Sequence, residues 1–166
     1  MLKLIRSVRE LDFSQLMEVY TESNRDNGAE FYPNLSDFEQ RFQAEQDFYA
    51  YLQIFFHTRD AVYAIWEENG RYLSALRLEP YRDGLLLEAL ETVPECRRSG
   101  FGKKLILGVL ATNSKGNRLP VYSHVSKRNM ASLAIHEACG FKRISESAVY
   151  IDGSVSDRCC TLRWDF

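Results

Sequence analysis

The sequence has few cysteines, no long apolar run and no excess of one charge, and these absences exclude whole classes of protein. Its 166 residues carry 21 Lys and Arg against 23 Asp and Glu, so the formal net charge is −2. Such a balance gives no reason to expect nucleic acid or an anionic membrane as a partner. No stretch approaches the roughly 18 apolar residues of a membrane span. Because residues 1–6 are too short and too interrupted for a signal peptide, we expect a cytoplasmic protein.

The four cysteines also argue against a metal site. Cys96, Cys139, Cys159 and Cys160 show no C-x-x-C spacing and have no nearby pair of histidines, so we expect no bound metal. The adjacent Cys159 and Cys160 should project to opposite sides of a strand, which disfavours a bridge between them. We therefore expect reduced thiols.

The length suits one domain over residues 1–166, because two cores of ordinary size would need a longer chain. Apolar periodicity and turn residues predict the order β-α-α-β-β-β-α-β-α-β-β, which indicates an α/β fold with a mixed sheet. The predicted elements are a strand at 2–8, a helix from the N-cap Asp12 to just before Asn27-Gly28, a loop at 29–34, a helix from the N-cap Ser36, a hairpin of strands 61–66 and 71–78, a strand at 85–93, a helix at 100–112 that stops at 113–117, a strand at 119–125, a helix at 129–139 followed by Gly140, and a hairpin of strands 142–150 and 155–164.

The tract at 31–56 is unusually rich in aromatic residues. Helical spacing predicts that its large side chains face the core, although aromatics close to a loop also suit the wall of a substrate pocket. The side chains placed on this helix face are Phe38, Phe42, Phe48, Tyr51, Leu52 and Phe55.

A glycine-containing turn at 91–104 joins a predicted strand to a predicted helix. Pro94 cannot donate to a ladder and ends the strand, and Gly100 and Gly102 precede the apolar helix run. A turn that opens a helix leaves several N–H groups unpaired at its positive end, which favours binding of an anion such as a phosphate. A glycine turn that merely closes an ordinary strand–helix unit is the alternative.

The spacing in this turn excludes two common phosphate motifs. A P-loop needs glycine where Arg97 stands, and a dinucleotide fingerprint needs glycine where Leu105 stands. Instead, Arg97-x-x-Gly100-x-Gly102 resembles the coenzyme-A pyrophosphate loop of the GNAT superfamily of N-acetyltransferases, [QR]-x-x-G-x-[GA].

A second motif, after the strand at 119–125, strengthens this resemblance. Asn129, Ser132, Gly140 and Phe141 have the spacing of the family pattern N-x-x-[AS]-x-x-x-Y-x-x-x-G-F, with His136 where the family commonly has tyrosine. The resemblance implies a central mixed, mostly antiparallel sheet flanked by helices. It also implies acetyl-CoA as co-substrate, with no metal.

The resemblance further implies where the coenzyme would bind, between the strands at 85–93 and 119–125, which would splay apart. Main-chain groups of the first strand would bind the pantetheine, the glycine turn would bind the pyrophosphate, and Asn129 would lie near the coenzyme arm or act only as an N-cap. The residues concerned are Leu90, Glu91, Thr92, Arg97, Arg98, Ser99, Gly100, Phe101, Gly102, Lys103 and Asn129.

The implied reaction is direct attack of a neutral amine on the thioester, which requires a general base and is assisted by a general acid. We predict His124 as the base, with Glu88 as second choice; Glu88 and Glu91 should point to opposite faces of their strand. We predict His136 as the acid towards the departing thiolate, because histidine titrates near neutral pH. The alternatives are that His124 is only a polar residue closing a strand, and that His136 only packs or caps.

The acceptor class stays open, as a small-molecule amine, a protein N-terminus or a lysine. Acidic residues at 22–37 would suit a cationic amine. The competing function is a non-catalytic acyl-CoA-binding or regulatory module that kept the fold and lost the acid. An exposed last strand would also allow a homodimer.

Overall fold

The computed structural model describes residues 1–116 and 118–166, so Asn117, at the end of the predicted helix stop, lies outside the described residues. The chain alternates helices and strands in nearly the predicted order. The helices are α1 (Phe13–Val19), α2 (Thr21–Phe31), α3 (Asp37–Phe55), α4 (Phe101–Lys115) and α5 (Met130–Glu137). The strands are β1 (Leu2–Ile5), β2 (Val62–Glu68), β3 (Arg71–Tyr81), β4 (Gly84–Thr92), β5 (Val121–Ser126), β6 (Lys142–Ser145), β7 (Ala148–Val149), β8 (Val155–Ser156) and β9 (Cys159–Trp164).

Seven strands form one sheet in the order β1-β2-β3-β4-β5-β9-β6. The β4–β5 pair is parallel, and the other five neighbouring pairs of this sheet are antiparallel. This confirms the predicted mixed, mostly antiparallel sheet. The predicted C-terminal hairpin is divided, since β6 pairs with β9 while β7 and β8 form a separate two-stranded ribbon.

Helices cover both faces of the sheet and enclose two cores. On one face, α4 packs with Leu105 and Ile106 on the strands. On the other face, α1 and α3 contribute Leu16 and Leu52. Since β2 and β3 contribute side chains to both cores, the functional groups of the sheet are expected where its central strands end or separate.

The prediction that the first helix ends before Asn27-Gly28 is wrong. The helix is divided at Tyr20 and the chain is helical again to Phe31, so the loop predicted at 29–34 begins only at Tyr32. Gly28 is buried, and a Cβ added there would lie 2.7 Å from the carbonyl oxygen of Gln40 on α3. The glycine therefore permits a close crossing of α2 and α3 and does not mark a turn.

The N-terminus of α3 is as predicted, but its aromatic face is not wholly buried. Ser36 and Glu39 form a capping box. Leu52 and Phe55 are buried, whereas Phe38 is 80% and Phe42 56% exposed, so the prediction that both face the core is wrong. The first turns of α3 lie against the end of α2, where Gln40 contacts Gly28. Helical spacing alone does not show which side chains of such a helix are covered.

The last strand, β9, lies between β5 and β6 and is not at an edge, which corrects the prediction of an exposed last strand. The edge on that side is the short, exposed β6. A homodimer stays a prediction. No helix in the described part of the chain is long and apolar enough to cross a membrane. Within residues 1–116 and 118–166, no group of three His, Cys, Asp or Glu side chains is arranged to hold a metal ion.

Candidate active site

The two central strands, β4 and β5, separate after a short ladder. They pair only at Leu85–Val121, Leu86–Tyr122 and Leu87–Ser123 within the described residues. Beyond these pairs β4 continues to Thr92 and β5 to Ser126. A V-shaped opening therefore lies in the middle of the sheet, with unpaired backbone on both sides, as expected from the sequence.

A β-bulge interrupts β4 at the mouth of this opening. Ala75 pairs with Glu91 and Arg77 with Glu88, so two steps along β3 oppose three along β4. The extra residue is accommodated at Ala89, whose φ is +51°. Residues opposite one another project to the same face, so Glu88 and Glu91 both lie on the face covered by α1–α3. The prediction that they point to opposite faces is wrong, because it assumed an unbroken alternation.

The glycine turn forms an uncapped helix N-terminus beside the opening. Gly100 is the N-cap of α4 with φ +82°, and no side chain in the described structure caps this end. The first intrahelical bond is from Lys104 N to Gly100 O, so the three preceding N–H groups of the first turn have no helical partner. This arrangement provides donors for an anion, as the motif predicts.

Gly102 allows α4 to begin close to both β4 and α5. A Cβ there would lie 3.1 Å from Cδ1 of Ile135 and 3.5 Å from Oγ1 of Thr92. The side chains of Leu90 and Thr92 thus project toward α4, on the face opposite to Glu91. The uncapped N-terminus, α5 and the unpaired half of β4 meet at one place.

The basic residues of the turn have different environments. Arg97 is engaged, because its Nη1 lies 2.6 Å from Oε2 of Glu22 on α2 and its Nε donates to Thr92 O at 3.3 Å. Arg98 and Lys103 are exposed, and Arg98 has a positive φ of 62°. Arg98 and Lys103 thus retain water-facing charge near the α4 N-terminus, whereas Arg97 connects the turn to α2.

His124 lies on β5 just past the last β4–β5 pair, on the same face as Glu88. Its ring packs edge-on between Tyr81 and Tyr150, with centroid distances of 5.4 and 5.2 Å. Neither ring nitrogen has a hydrogen-bond partner among the described residues. Burial lowers the pKa of His124 below its ordinary value, and the charge of Arg82 acts in the same direction against that of Glu88. The ring is therefore neutral at pH 7, with a free lone pair.

Glu88 is held by an ion pair. Its Oε2 lies 3.0 Å from Nη2 of Arg77, and the guanidinium packs 4.8 Å above the ring of Tyr51. Both partners of the pair are largely buried. One oxygen of this carboxylate is therefore already engaged by a guanidinium.

The second motif forms the start and the buried face of α5. Asn129 is the N-cap and accepts from Ser132 N at 3.0 Å, so its capping role is observed. His136 is 1% exposed, its ring contacts Phe141, and its Nδ1 lies 2.7 Å from the carbonyl oxygen of Ser132. A carbonyl only accepts, so Nδ1 carries the proton of the neutral ring. Nε2 has no partner in the described structure, and burial lowers the pKa of this histidine.

Several groups around the opening were not predicted from the sequence. Tyr81 and Tyr150 enclose His124, and Arg77 holds Glu88. Tyr20 donates to the carbonyl of the bulge residue Ala89 at 2.6 Å. These residues lie on β3, at the junction of α1 and α2 and just after β7, and no short motif connects them, so only the tertiary structure shows them together.

Comparison with known families identifies the class to which this arrangement belongs. Residues 5–141 match the model of the acetyltransferase (GNAT) family. The chain therefore belongs to the GNAT acetyltransferase family.

Solved structures of similar fold include N-acetyltransferases. PaiA N-acetyltransferase from Thermoplasma acidophilum, in complex with coenzyme A, is 15% identical with a TM-score of 0.69, covering 100% of this chain and 99% of its own. The ribosomal-protein-S18-alanine N-acetyltransferase from Escherichia coli is also 15% identical, with a TM-score of 0.64 and coverages of 99% and 94%. An acetyltransferase from Streptococcus agalactiae is 17% identical, with a TM-score of 0.67 and coverages of 99% and 98%. At these identities the likeness establishes the fold. A comparison with curated proteins found no match.

Proposed function

We propose that residues 1–166 form one N-acetyltransferase domain that transfers the acetyl group of acetyl-CoA directly to a primary amine. The observation that carries the proposal is the opening between β4 and β5, which has an uncapped α4 N-terminus beside it. An extended thioester coenzyme needs both features, backbone edges for its amide-containing arm and amide donors for its pyrophosphate.

The coenzyme would be held mainly by main-chain groups. Leu90, Glu91 and Thr92 form the unpaired half of β4 and would bind the pantetheine as a neighbouring strand does. The amides of residues 98–103 would hold the pyrophosphate, with the charges of Arg98 and Lys103 at the rim. We do not assign a direct contact to Arg97, because its side chain is bound to Glu22 and its main-chain N–H donates to the Pro94 carbonyl.

His124 is our choice for the general base. The attacking amine must lose a proton, and a neutral imidazole with an unpartnered nitrogen is suited to accept it. Glu88 remains second, since its carboxylate is already held by the guanidinium of Arg77. The acetyl carbon then forms its bond to nitrogen as the bond to the coenzyme sulfur breaks.

His136 is our choice for the group that protonates the departing sulfur. Nδ1–H is bound to the Ser132 carbonyl, which leaves Nε2 as the nitrogen that would carry the transferred proton. The Ser132 carbonyl favours the protonated ring, whereas burial opposes it. Because the resting ring is neutral, Nε2 would first take up one of the two protons that the ammonium form of the amine loses and would then pass it to the sulfur, while the other proton is released.

The decisive experiment measures free-thiol release from acetyl-CoA in the presence of primary amines, amino acids, polyamines and peptides. Release that depends on one class of amine, with the acetylated product identified by mass spectrometry, supports the proposal and names the acceptor. Tight binding of acetyl-CoA without release for any amine contradicts transfer to an amine. It would favour a binding or regulatory module.

A further inference from the structure

A cavity of about 270 Å³ lies between α2 and α3, and the proposed chemistry leaves it unused. Side chains of the two helices form its walls, and Arg77 of β3 forms its floor. Arg77 lies directly opposite Glu88 in the sheet, on the face that also carries His124. This α2–α3 cavity is therefore a neighbour of the candidate catalytic groups, about two strand spacings, roughly 10 Å, from β5.

Four aromatic side chains line the α2–α3 cavity. Phe31 and Tyr32 lie at the end of α2, and Phe48 and Tyr51 belong to α3. Phe48 and Tyr51 meet edge-to-face with a centroid distance of 6.4 Å, whereas Phe31 is 68% exposed. A large ring that faces both a cavity and water is stabilised when another ring covers it. The wall is therefore suited to a planar, apolar group.

One buried polar side chain in this wall lacks a strong partner. Asn24 of α2 is 3% exposed and lines the cavity. Its Nδ2 donates to Sδ of Met17 at 3.2 Å, and a thioether is a weak acceptor. No other hydrogen bond to this side-chain amide occurs among the described residues, so its Oδ1 receives none. Because an amide oxygen buried without a donor is costly, Asn24 favours a ligand that donates a hydrogen bond inside the cavity.

The charged groups of the cavity are already engaged within the protein. The guanidinium of Arg77 at the floor binds Oε2 of Glu88. The carboxylate of Asp47 in the wall accepts from the hydroxyl of Tyr32. An uncharged group therefore fits the α2–α3 cavity better than a carboxylate or a second ammonium group does.

We propose that the α2–α3 cavity binds the part of the acceptor remote from its amine, and that this part is an uncharged aromatic ring whose O–H or N–H group donates to Asn24. This inference rests on the proposed function, because it names the acceptor class of the same reaction, an amine joined to such a ring by a short linker. The linker would cross the Arg77–Glu88 pair and bring the amine towards His124. The ring only binds, so the bonds made and broken in acetyl transfer are unchanged.

The test compares n-butylamine, phenethylamine and tyramine, which all carry an ammonium group at pH 7.5 and differ in the ring and in its hydroxyl. For the wild-type protein we expect kcat/KM to rise by about 10-fold from n-butylamine to phenethylamine, because the ring is buried. We expect a further increase of about fivefold for tyramine, because its hydroxyl donates to Asn24. Thiol release from acetyl-CoA measures all three values.

Two variants and a matched control separate the ring contact from the hydrogen bond. Phe31→Ala should raise the KM for phenethylamine and tyramine by about fivefold and change that for n-butylamine by less than about twofold. Asn24→Leu keeps the volume and should abolish only the advantage of tyramine over phenethylamine, with Asn24→Ala as the second variant if the larger side chain impairs folding. Phe38→Ala removes another exposed ring, from the start of α3 and outside the cavity lining, and should change none of these values.

Three results overturn the inference while the proposed function stands. The first is equal kcat/KM of the wild-type protein for the three amines. The second is a loss in Phe31→Ala that is the same for n-butylamine as for the two ring-bearing amines, and the third is a preference for tyramine that survives in both Asn24 variants. If the wild-type protein releases no thiol with any amine, the proposed function fails and this inference fails with it. Titration of each variant with acetyl-CoA shows separately whether the coenzyme site is intact.

Discussion

At the scale of single residues, the proposed chemistry uses buried groups that have no hydrogen-bond partner. His124 and His136 each keep at least one ring nitrogen without a hydrogen bond in the described part of the chain. Each such buried polar atom without a partner makes the free energy of folding less favourable by about 1–3 kcal/mol. That cost is offset when a ligand supplies the missing contact, so these nitrogens mark where the substrates should arrive.

His124→Ala should lower kcat/KM by about 100-fold, because a positioned general base contributes at least this much. Burial lowers the pKa of His124 below its ordinary value, so the basic, neutral form of the ring is present near neutral pH and is lost as the pH falls through this lowered pKa. Wild-type kcat/KM should therefore decline on the acidic side, and the variant should lack this limb. A pH–rate profile from pH 5 to 8 checks it, and an acidic limb retained in His124→Ala would transfer the role to Glu88.

His136→Phe should lower kcat by about 100-fold and leave the Kd for coenzyme A nearly unchanged. Phenylalanine fills the buried space beside Phe141 but carries no proton. His136→Tyr, which restores the family's usual residue, is the matched variant and should retain activity. Steady-state kinetics with a titration of coenzyme A provide both values. Equal turnover in His136→Phe and wild type would show that the residue only packs.

The sequence predicted the identity of these two histidines because each lies at a fixed spacing from Asn129. It did not predict the face of Glu91, because strand alternation carries no sign of a bulge at an alanine. Alanine rarely adopts a positive φ, and here tertiary contacts impose it, including the hydroxyl of Tyr20 on the Ala89 carbonyl. Such a contact joins residues 69 apart, which no local pattern records.

At the scale of elements, the turn into α4 was predictable because all the residues that form it are contiguous in the sequence. Pro94 ends the strand region, Gly100 supplies the left-handed N-cap and the apolar run of α4 follows. The α2–α3 hairpin was not predictable in the same way. Gly28 permits a close helix crossing, and Phe38 and Phe42 have helical spacing but are exposed. Local sequence patterns therefore predict backbone conformation better than they predict which side chains are buried.

Gly100→Glu should abolish coenzyme-A binding. The left-handed backbone costs a non-glycine residue about 1–2 kcal/mol, and the added carboxylate would repel a phosphate at the α4 N-terminus. Gly100→Ala is the control, because a Cβ there has no neighbour within 4 Å and brings the strain without the charge. Isothermal titration with coenzyme A should show weak but measurable binding for Ala and none for Glu. Unchanged affinity in the Glu variant would disprove the assignment of this turn.

At the scale of the whole molecule, the sheet is divided where β4 meets β5. The ladder begins at a tight contact, because Gly84 lies against Pro120, whose carbonyl accepts from Leu85 N at 3.0 Å. From there the two halves of the sheet diverge. The angle of the opening is thus set at the end of the ladder remote from the candidate catalytic groups.

Gly84→Ala should destabilise the protein by about 1–3 kcal/mol, because a Cβ there would lie 2.1 Å from the Pro120 carbonyl oxygen and the strands would have to part. It should also weaken acetyl-CoA binding, since the opening would change shape. Urea unfolding followed by circular dichroism measures the first effect and calorimetry the second. Gly108→Ala within α4, where the nearest atom is 3.4 Å away, should show neither. If Gly84→Ala unfolds at the same urea concentration as the wild type, the contact between Gly84 and Pro120 is not the constraint proposed for the start of the β4–β5 ladder.

The bulge at Ala89 has a consequence for how this chain can tolerate insertions and deletions. Side chains alternate between the two faces of the sheet along β4, and the extra residue at the bulge reverses this alternation for the residues that follow it. Deleting Ala89 would remove one backbone unit and only a methyl side chain. It would nevertheless send Glu91 to the α4 face, or pull Glu88 away from Arg77, according to which half of β4 moved. Relatives that differ in length by one residue at this point would therefore present different groups to the acceptor, even where every other residue matched.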